Sequence, residues 1–270
     1  MLLAQLSDPH ILPPGRLFKE RVDTAAMLRA AVAFANAHRP TPDALLLTGD
    51  LTESGDAEAY AHLADILAAA RMPVYLLPGN HDAREALRDA FPGHDHLPPE
   101  GFLHYAVTLG PLRLVVLDTL IPGAGDGELC AERLAWLEAR LVESPTVPTV
   151  LAMHHPPIPM GMNMDRHRLR EPAVLEALLG RHPQVRRILC GHVHRHVEGM
   201  LGGVPVSACP GTAHQVALDP EIDAPLHFSL EPPGMLLHAW LEGQGLITHH
   251  LPIGQWEGPY PFRAPKPAGG

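Results

Sequence analysis

A chain of 270 residues with 46% hydrophobic and 19% charged residues can bury a core, which excludes an intrinsically disordered protein. The formal net charge of -10, without any run of Lys or Arg, argues against extended contacts with a nucleic-acid polymer. No apolar stretch approaches a membrane span, and the three cysteines, Cys130, Cys190 and Cys209, have no paired spacing. We therefore expect a cytoplasmic protein with neither a disulfide framework nor a membrane partner.

Short apolar strands alternate with amphipathic helical segments, which predicts an α/β fold. The predicted strands are Leu2–Leu6, Ala44–Leu47, Val74–Leu77, Leu112–Leu117, Val147–Met153 and Arg187–Cys190. The predicted helices are Asp23–Ala37, Ala57–Ala70, Arg84–Phe91, Ala131–Leu141 and Glu171–Leu179, with Asp23 and Asp56 as N-caps. Helical periodicity stops after residue 196, and further strands are predicted at Val204–Ser207, Met235–Leu241 and Ile247–Leu251.

Polar residues directly follow most of the predicted strands. They are Ser7-Asp8-Pro9-His10, Gly49-Asp50, Pro78-Gly79-Asn80-His81-Asp82, His154-His155-Pro156-Pro157 and Gly191-His192-Val193-His194. Because ligands of α/β sheets bind at the carboxyl ends of the strands, we expect one site built from all of these segments. Carboxylate, amide and imidazole donors without cysteine suit Mn, Fe, Zn or Co. They are too many for one tetrahedral ion, which predicts two divalent metals that share a carboxylate.

Two local features are expected to direct these side chains. In Asp8-Pro9-His10 and His192-Val193-His194, alternating residues of an extended segment would point the same way. Glycines before Asp50, Asn80 and His192 would permit tight turns at the strand ends.

The ordered blocks D-x-H, G-D, G-N-H-D, H-H-P-P and G-H-x-H, between positions 8 and 194, resemble the signature of calcineurin-like metallophosphoesterases. The resemblance implies a four-layer αββα sandwich, in which two mixed β-sheets are flanked by helices. It also implies a phosphoesterase with a dinuclear metal centre, in which two cations share a water molecule and make hydroxide available near neutral pH.

The resemblance implies a role for each matching residue. Asp8, His10 and His194 would bind the first metal, Asp50 would bridge both metals, and Asn80, His154 and His192 would bind the second. His81 would act on the substrate phosphoryl group or the leaving alkoxide, held by Asp82 or another carboxylate. We interpret His155 as a structural neighbour of the site.

The likeness extends to bacterial glycerophosphodiesterases and class III cyclic-nucleotide phosphodiesterases. Its additional blocks are M-H-H-P-P at Met153–Pro157, C-G-H-x-H at Cys190–His194 and P-G-T-x-H-Q at Pro210–Gln215. The last block nominates His214 as a second catalytic residue or, alternatively, as a turn residue bonded to the backbone.

Two departures narrow the class of enzyme. The arginine that protein Ser/Thr phosphatases carry after G-D is missing, and Glu53 stands where purple acid phosphatases have a metal-binding tyrosine. Hydrolysis of small, glycerophosphodiester-like phosphodiesters is the leading hypothesis. The alternatives are a 3′,5′-cyclic-nucleotide phosphodiesterase and a non-catalytic metal-binding scaffold.

The domain prediction is one metallophosphoesterase domain at residues 1–252, followed by a Pro/Gly-rich tail at 253–270. Residues 196–235 are the candidate cap or oligomer contact, and we expect a homo-oligomer. Arg16, Lys19 and Arg21 flank the first metal block, either as solvated surface charges or as guides for a phosphate group.

Overall fold

Two mixed β-sheets lie face to face in the computed structural model, which describes residues 1–263. The strands are β1 (Leu2–Leu6), β2 (Ala44–Thr48), β3 (Val74–Leu77), β4 (Tyr105–Leu109), β5 (Leu112–Leu117), β6 (Thr149–Met153), β7 (Val185–Cys190), β8 (Val197–Leu201), β9 (Val204–Ala208), β10 (Gln215–Val216), β11 (Phe228–Ser229), β12 (Gly234–Leu241) and β13 (Gly245–Pro252). The helices are α1 (Thr24–Ala37), α2 (Ala57–Leu67), α3 (Arg84–Ala90), α4 (Ala131–Val142) and α5 (Pro172–Leu179), with a 3-10 helix at Asn163–His167.

The strand order brings the ends of the central strands to a common edge. The first sheet has the order β13-β12-β1-β2-β3, in which β1, β2 and β3 are parallel. The second has the order β4-β5-β6-β7-β9-β8, in which β5, β6, β7 and β9 are parallel and the outer β4 and β8 are antiparallel. β10 and β11 form a separate antiparallel pair.

Side chains of β5 show how the layers are built. Leu114 and Val116 pack into the core shared with the first sheet and with α1 and α2. Val115 and Leu117 point the other way, into a core that includes Leu137 of α4 and residues of α5. Successive residues of a strand face opposite sides, so both faces of this sheet are buried. The predicted αββα sandwich is confirmed.

The predicted elements appear with small differences in length. β6 begins at Thr149, two residues later than predicted, because Pro148 has no backbone N–H to donate. α2 ends at Leu67 because Ala69 and Ala70 donate to carbonyls three residues back, which tightens the final turn. The edge strands β4 and β8 were not predicted; β8 contains Glu198 and Gly199, residue types that are depleted in strands.

The tail prediction is only partly covered by the structure. β13 ends at Pro252, where the tail is predicted to begin, and residues 254–263 contain neither a helix nor a strand. Residues 264–270 of the predicted tail lie outside the described residues, so this division of the chain stays a prediction. In the described part of the chain, no helix combines the length and the apolar character needed to cross a lipid bilayer.

Both predicted N-caps form hydrogen bonds that begin a helix. Asp23 Oδ1 accepts from the backbone N–H of Ala26 at 2.8 Å, and Asp56 Oδ1 accepts from that of Ala59 at 2.9 Å. Each carboxylate therefore satisfies one of the N–H groups that have no partner within the helix.

We expect Asp56→Ala to lower the free energy of unfolding by about 1 kcal/mol, because α2 loses its N-cap. Urea unfolding followed by circular dichroism measures the change. Asp65→Ala, which removes an exposed carboxylate from the same helix, is the matched control. Equal stabilities of the two variants would contradict the capping role of Asp56.

Candidate functional site

The predicted site residues come together where the carboxyl ends of strands from both sheets meet. The first sheet supplies Asp8 and His10 after β1, Asp50 after β2, and Asn80 and His81 after β3; the second supplies His154 after β6, His192 and His194 after β7, and His214 after β9. Most of these residues line one cavity of about 340 Å³. Asp8 and His154 lie behind them, completely buried.

The first cluster contains two imidazole nitrogens that face each other. His10 Nε2 lies 3.1 Å from His194 Nε2. His10 Nδ1 lies 2.7 Å from the Glu53 carboxylate, and His194 Nδ1 lies 2.9 Å from the carbonyl oxygen of His214. Because both of those partners can only accept, each neutral ring carries its proton on Nδ1 and presents a lone pair from Nε2. Two lone pairs at this distance repel each other unless a cation lies between them.

Carboxylates complete the first cluster. Asp50 Oδ2 lies 3.5 Å from His10 Nε2, and Asp8 Oδ1 lies 3.5 Å from His194 Nε2. The cluster therefore offers four donor atoms, each from a different residue, within 4.8 Å of one another.

The second cluster repeats this arrangement around His154. His154 Nδ1 donates to the carbonyl oxygen of Thr48 at 2.8 Å, so the lone pair of Nε2 faces the site. That Nε2 lies 3.1 Å from Asn80 Oδ1, 3.2 Å from His192 Nδ1 and 3.4 Å from Asp50 Oδ1. Two carboxylate oxygens of one residue, Asp50, thus face one cluster each, as expected of a bridging ligand.

The pKa values show that positive charge is favoured beside Asp50, at His10 and His154. Burial instead lowers the pKa of His192 and His194. Burial alone would lower the pKa of His154, but the Asp50 carboxylate raises it to about 9. Burial would likewise lower the pKa of His10, but the hydrogen bond with Glu53 and the nearby carboxylates outweigh burial and raise it. Burial would raise the pKa of Asp50, yet its imidazole neighbours hold it well below its usual range. A proton or a metal cation would supply the charge, and the mixed oxygen and nitrogen donors fit two divalent cations.

The backbone around the clusters is strained. Five of the seven predicted ligands are non-glycine residues with positive φ, namely Asp8 (52°), His10 (45°), Asp50 (46°), His192 (73°) and His194 (49°). The prediction that these blocks are extended segments was therefore wrong. Left-handed residues, each costing about 1 kcal/mol or more, turn the side chains toward the cavity instead.

The glycines before the ligands serve two different purposes. Gly49 has φ of 91°, which fits the predicted tight turn. Gly79 has no positive φ, and a Cβ there would lie 2.2 Å from Asp50 Oδ1. Likewise, a Cβ on Gly191 would lie 2.1 Å from Ser7 Oγ. A turn is nevertheless present at Gly79, where the backbone N–H of Asp82 donates to the Gly79 carbonyl at 3.3 Å. At these two positions the site requires the absent side chain, which leaves room for close packing, and not a left-handed φ.

His81 lines the cavity beside the first cluster. Its Nδ1 donates to the carbonyl oxygen of Glu53 at 2.8 Å and lies 3.7 Å from the Glu53 carboxylate. Asp82, the residue expected to hold it, instead accepts hydrogen bonds from the backbone N–H groups of Leu51, Thr52 and Gly79 and from the Tyr60 hydroxyl. Glu53 therefore takes the orienting role that was predicted for Asp82 or another carboxylate.

Glu53 is the functional residue whose role sequence reasoning missed. Its carboxylate bonds to His10 and its carbonyl to His81, so one residue orients both rings. Burial would raise the pKa of Glu53, but the hydrogen bond from His10 lowers it. The available signal was its position as a carboxylate three residues after Asp50.

His214 lines the cavity and stacks on Phe18, with ring centroids 4.2 Å apart and planes inclined by 10°. Burial lowers the pKa of His214 to about 2, and the His194 and His10 imidazoles add to the effect. The ring is therefore neutral at physiological pH. The backbone carbonyl of His214 accepts from the His194 ring, whereas its own buried Nδ1 has no hydrogen-bond partner among the described residues, so the alternative of a side chain bonded to the backbone is not seen at this nitrogen.

His155 packs against the second cluster, and the ligand atoms of His154, His155 and His192 lie within 4.8 Å of one another. The structural role of His155 therefore stays a prediction. Its Nδ1 lies 2.7 Å from Thr119 Oγ1, and its ring centroid lies 4.7 Å from that of His192 and 4.8 Å from that of His154. Burial lowers the pKa of His155 well below its usual value, so a neutral ring packs against the two histidines of the second cluster.

Known proteins share both the sequence and the fold. The calcineurin-like phosphoesterase family matches residues 1–196. A probable glycerophosphodiester phosphodiesterase, GpdQ, of Arcobacter nitrofigilis is 39% identical over 266 residues, covering 97% of each chain. A probable cyclic nucleotide phosphodiesterase of Rhodopseudomonas palustris is 36% identical over 263 residues, covering 96% of this chain and 94% of the relative.

The Escherichia coli K12 cyclic adenosine monophosphate phosphodiesterase CpdA is 31% identical over 215 residues, covering 79% of this chain and 76% of the relative. A dimetal phosphatase from Danio rerio has the same fold, with a TM-score of 0.66 at 15% identity, covering 94% of this chain and 99% of the other. These matches confirm the predicted superfamily, fold and hydrolase class. The chain belongs to the calcineurin-like phosphoesterase family, whose members are dinuclear metal-dependent hydrolases of phosphoric esters.

Proposed function

We propose that this phosphoesterase hydrolyses small phosphodiesters of the glycerophosphodiester kind at two divalent cations. The observation that carries the proposal is the pair of donor clusters joined by Asp50, at the floor of a cavity of about 340 Å³. Such a volume suits a compact substrate and not a polymer. The relatives named as glycerophosphodiester and cyclic nucleotide phosphodiesterases support the same reaction class.

The proposed ligands follow the two clusters. Asp8, His10 and His194 would hold the first cation, Asn80, His154 and His192 the second, and Asp50 both. Mixed carboxylate, amide and imidazole donors favour Fe, Mn, Zn or Co. When bound, such cations would neutralise phosphoryl oxygens and lower the pKa of a coordinated water molecule.

His81 is the proposed proton donor to the leaving alkoxide. Its Nδ1 is engaged by the Glu53 carbonyl, which leaves Nε2 as the free ring nitrogen of a residue that lines the cavity. The Glu53 carboxylate, 3.7 Å from Nδ1, can form an ion pair with the protonated ring.

His214 is proposed to contact the substrate as a neutral ring. Its low pKa makes proton donation from an imidazolium form at neutral pH unfavourable. Stacking on Phe18 fixes the plane of the ring at the cavity wall.

Two segments of the chain, joined to each other by hydrogen bonds, lie beside the cavity. The backbone N–H of Asn163 donates to Asp219 at 2.9 Å, and the Arg166 guanidinium donates to the carbonyls of Ile222 and Ala224. Met164 and Leu226, from the same two segments, line the cavity. This arrangement supports the proposal that residues 196–235 contain a cap that restricts substrate size.

A substrate panel tests the proposed function. Metal-loaded protein should cleave glycerophosphoethanolamine and a generic aryl phosphodiester, with lower kcat/KM for 3′,5′-cyclic AMP and no cleavage of long single-stranded DNA. A preference for the cyclic nucleotide would favour that alternative. Absence of all turnover in protein that holds two metals would support the non-catalytic scaffold.

Metal analysis tests the ligand assignment. We expect two cations per wild-type chain, loss of both in Asp50→Ala because both clusters lose a carboxylate oxygen, and loss mainly of the second in Asn80→Ala. Elemental analysis after gel filtration gives the stoichiometry, and circular dichroism checks that each variant is folded. Two retained cations in Asp50→Ala would refute the bridging role.

The proposed role of His81 depends on the leaving group. His81→Asn keeps a donor for the Glu53 carbonyl but loses Nε2, so kcat for glycerophosphoethanolamine should fall about 100-fold or more. Bis(p-nitrophenyl) phosphate, whose leaving group needs no proton, should lose far less. His214→Asn, the matched control, should affect both substrates similarly. An equal loss on both substrates in His81→Asn would exclude proton donation by this residue.

We also propose that the chain forms a homo-oligomer through the region after His194. Large apolar side chains are exposed there, including Leu218, Ile222 and Leu230. Light scattering should give a mass at least twice that of one chain, and Leu218→Glu with Leu230→Glu should reduce it. A wild-type monomer would contradict this proposal.

A further inference from the structure

Lys19 lies at the tip of a tight turn beside the cavity. The turn is closed by two backbone hydrogen bonds between Phe18 and Val22, at 2.9 Å and 3.0 Å. Phe18 is buried against His214, which fixes the base of the turn. Lys19 itself is exposed and lines the cavity, with Nζ 5.6 Å from the Phe18 ring centroid.

The backbone at Lys19 would suit glycine better than lysine. Its φ is 48°, and that of the next residue, Glu20, is 55°. A non-glycine residue in this region costs about 1 kcal/mol, which glycine avoids. A residue with a strained backbone whose side chain reaches a reaction cavity is a reason to look for a contact with the substrate.

The charge of Lys19 is unusual in its surroundings. It is the single Lys or Arg among the described residues that line the cavity, whereas Arg16 and Arg21 of the same segment do not line it. Within residues 1–263, Lys19 forms no ion pair with a carboxylate. The chain as a whole has a formal net charge of -10, so this ammonium group lies at the mouth of the cavity in a protein that is acidic overall.

We propose that Lys19 is a specificity-determining residue that selects phosphodiesters in which one alcohol carries a second anionic group, such as a carboxylate. The donor clusters would hold the phosphodiester itself, and Lys19 Nζ would pair with the additional anion at the cavity mouth. The same charge disfavours diesters whose alcohol bears only an ammonium group. This inference rests on the proposed phosphodiesterase function and adds the substrate class.

Glycerophosphoserine and glycerophosphoethanolamine form a matched pair of probes, because they differ by one carboxylate. Wild-type protein should have the higher kcat/KM for glycerophosphoserine. Lys19→Gly should lower the ratio of kcat/KM for glycerophosphoserine to kcat/KM for glycerophosphoethanolamine about 5-fold. The change should come from a higher KM for glycerophosphoserine and not from kcat, as expected for an exposed charge pair. Lys19→Glu should lower the ratio further, and kcat/KM for bis(p-nitrophenyl) phosphate, which carries no second anionic group, should fall less than kcat/KM for glycerophosphoserine in both variants.

Two control variants separate specificity from structure. Arg16→Ala removes an exposed positive charge that does not line the cavity, and it should leave the ratio unchanged. Glu20→Gly relieves the same kind of backbone strain without touching the cavity. Neither Lys19→Gly nor Glu20→Gly should lower the midpoint of thermal unfolding, because glycine adopts positive φ without strain.

The outcomes distinguish this inference from the function on which it rests. Efficient hydrolysis of both diesters with a ratio that Lys19→Gly and Lys19→Glu leave unchanged would overturn the role of Lys19 alone. If metal-loaded wild-type protein hydrolyses none of the three diesters, including the aryl diester, the proposed function is overturned, and this inference with it.

Discussion

The lone pairs of imidazole nitrogens and the oxygens of Asp50 face one another at the junction of the two sheets, where a proton or a metal cation would supply the positive charge that separates them. His10 Nε2 and His194 Nε2 are held 3.1 Å apart, because Glu53 and a backbone carbonyl engage the other nitrogen of each ring. His154 is held in the same way by the carbonyl of Thr48. The hydrogen bonds behind the site thus fix which atoms can bind a cation.

The rest of the fold keeps these mutually repelling groups in place. Gln5, buried in β1, donates to Thr48 of the first sheet and to the carbonyl of Cys190 in the second, so the two halves of the site are tied through one side chain. Asp82 accepts from three backbone N–H groups and stabilises the turns that carry Asp50 and Asn80. Left-handed ligands and closely packed glycines are tolerable because the strands that precede them, β1, β2 and the end of β7, are almost completely buried.

Most of the fold and the clustering of the candidate site residues were predictable, because each chemical block is short and directly follows an apolar strand. What escaped prediction depends on contacts through space. Glu53 acts with both its carboxylate and its carbonyl, His214 acts partly through its backbone oxygen, and neither backbone role has a sequence signature. The left-handed conformation of Asp8 and His192 likewise arises from tertiary packing, which overrides the extended pattern suggested by alternating residues. The sequence left open whether Lys19 is a surface charge or a guide for a phosphate group, because only the folded turn places it at the cavity.

Anomalous X-ray diffraction from crystals of the metal-loaded protein tests the central claim most directly, since it locates cations independently of activity. The account predicts two anomalous peaks, one in contact with His10 and His194 and the other in contact with His154 and His192, with an oxygen of Asp50 bound to each. A single peak, or peaks that Asp50 does not contact, would contradict it.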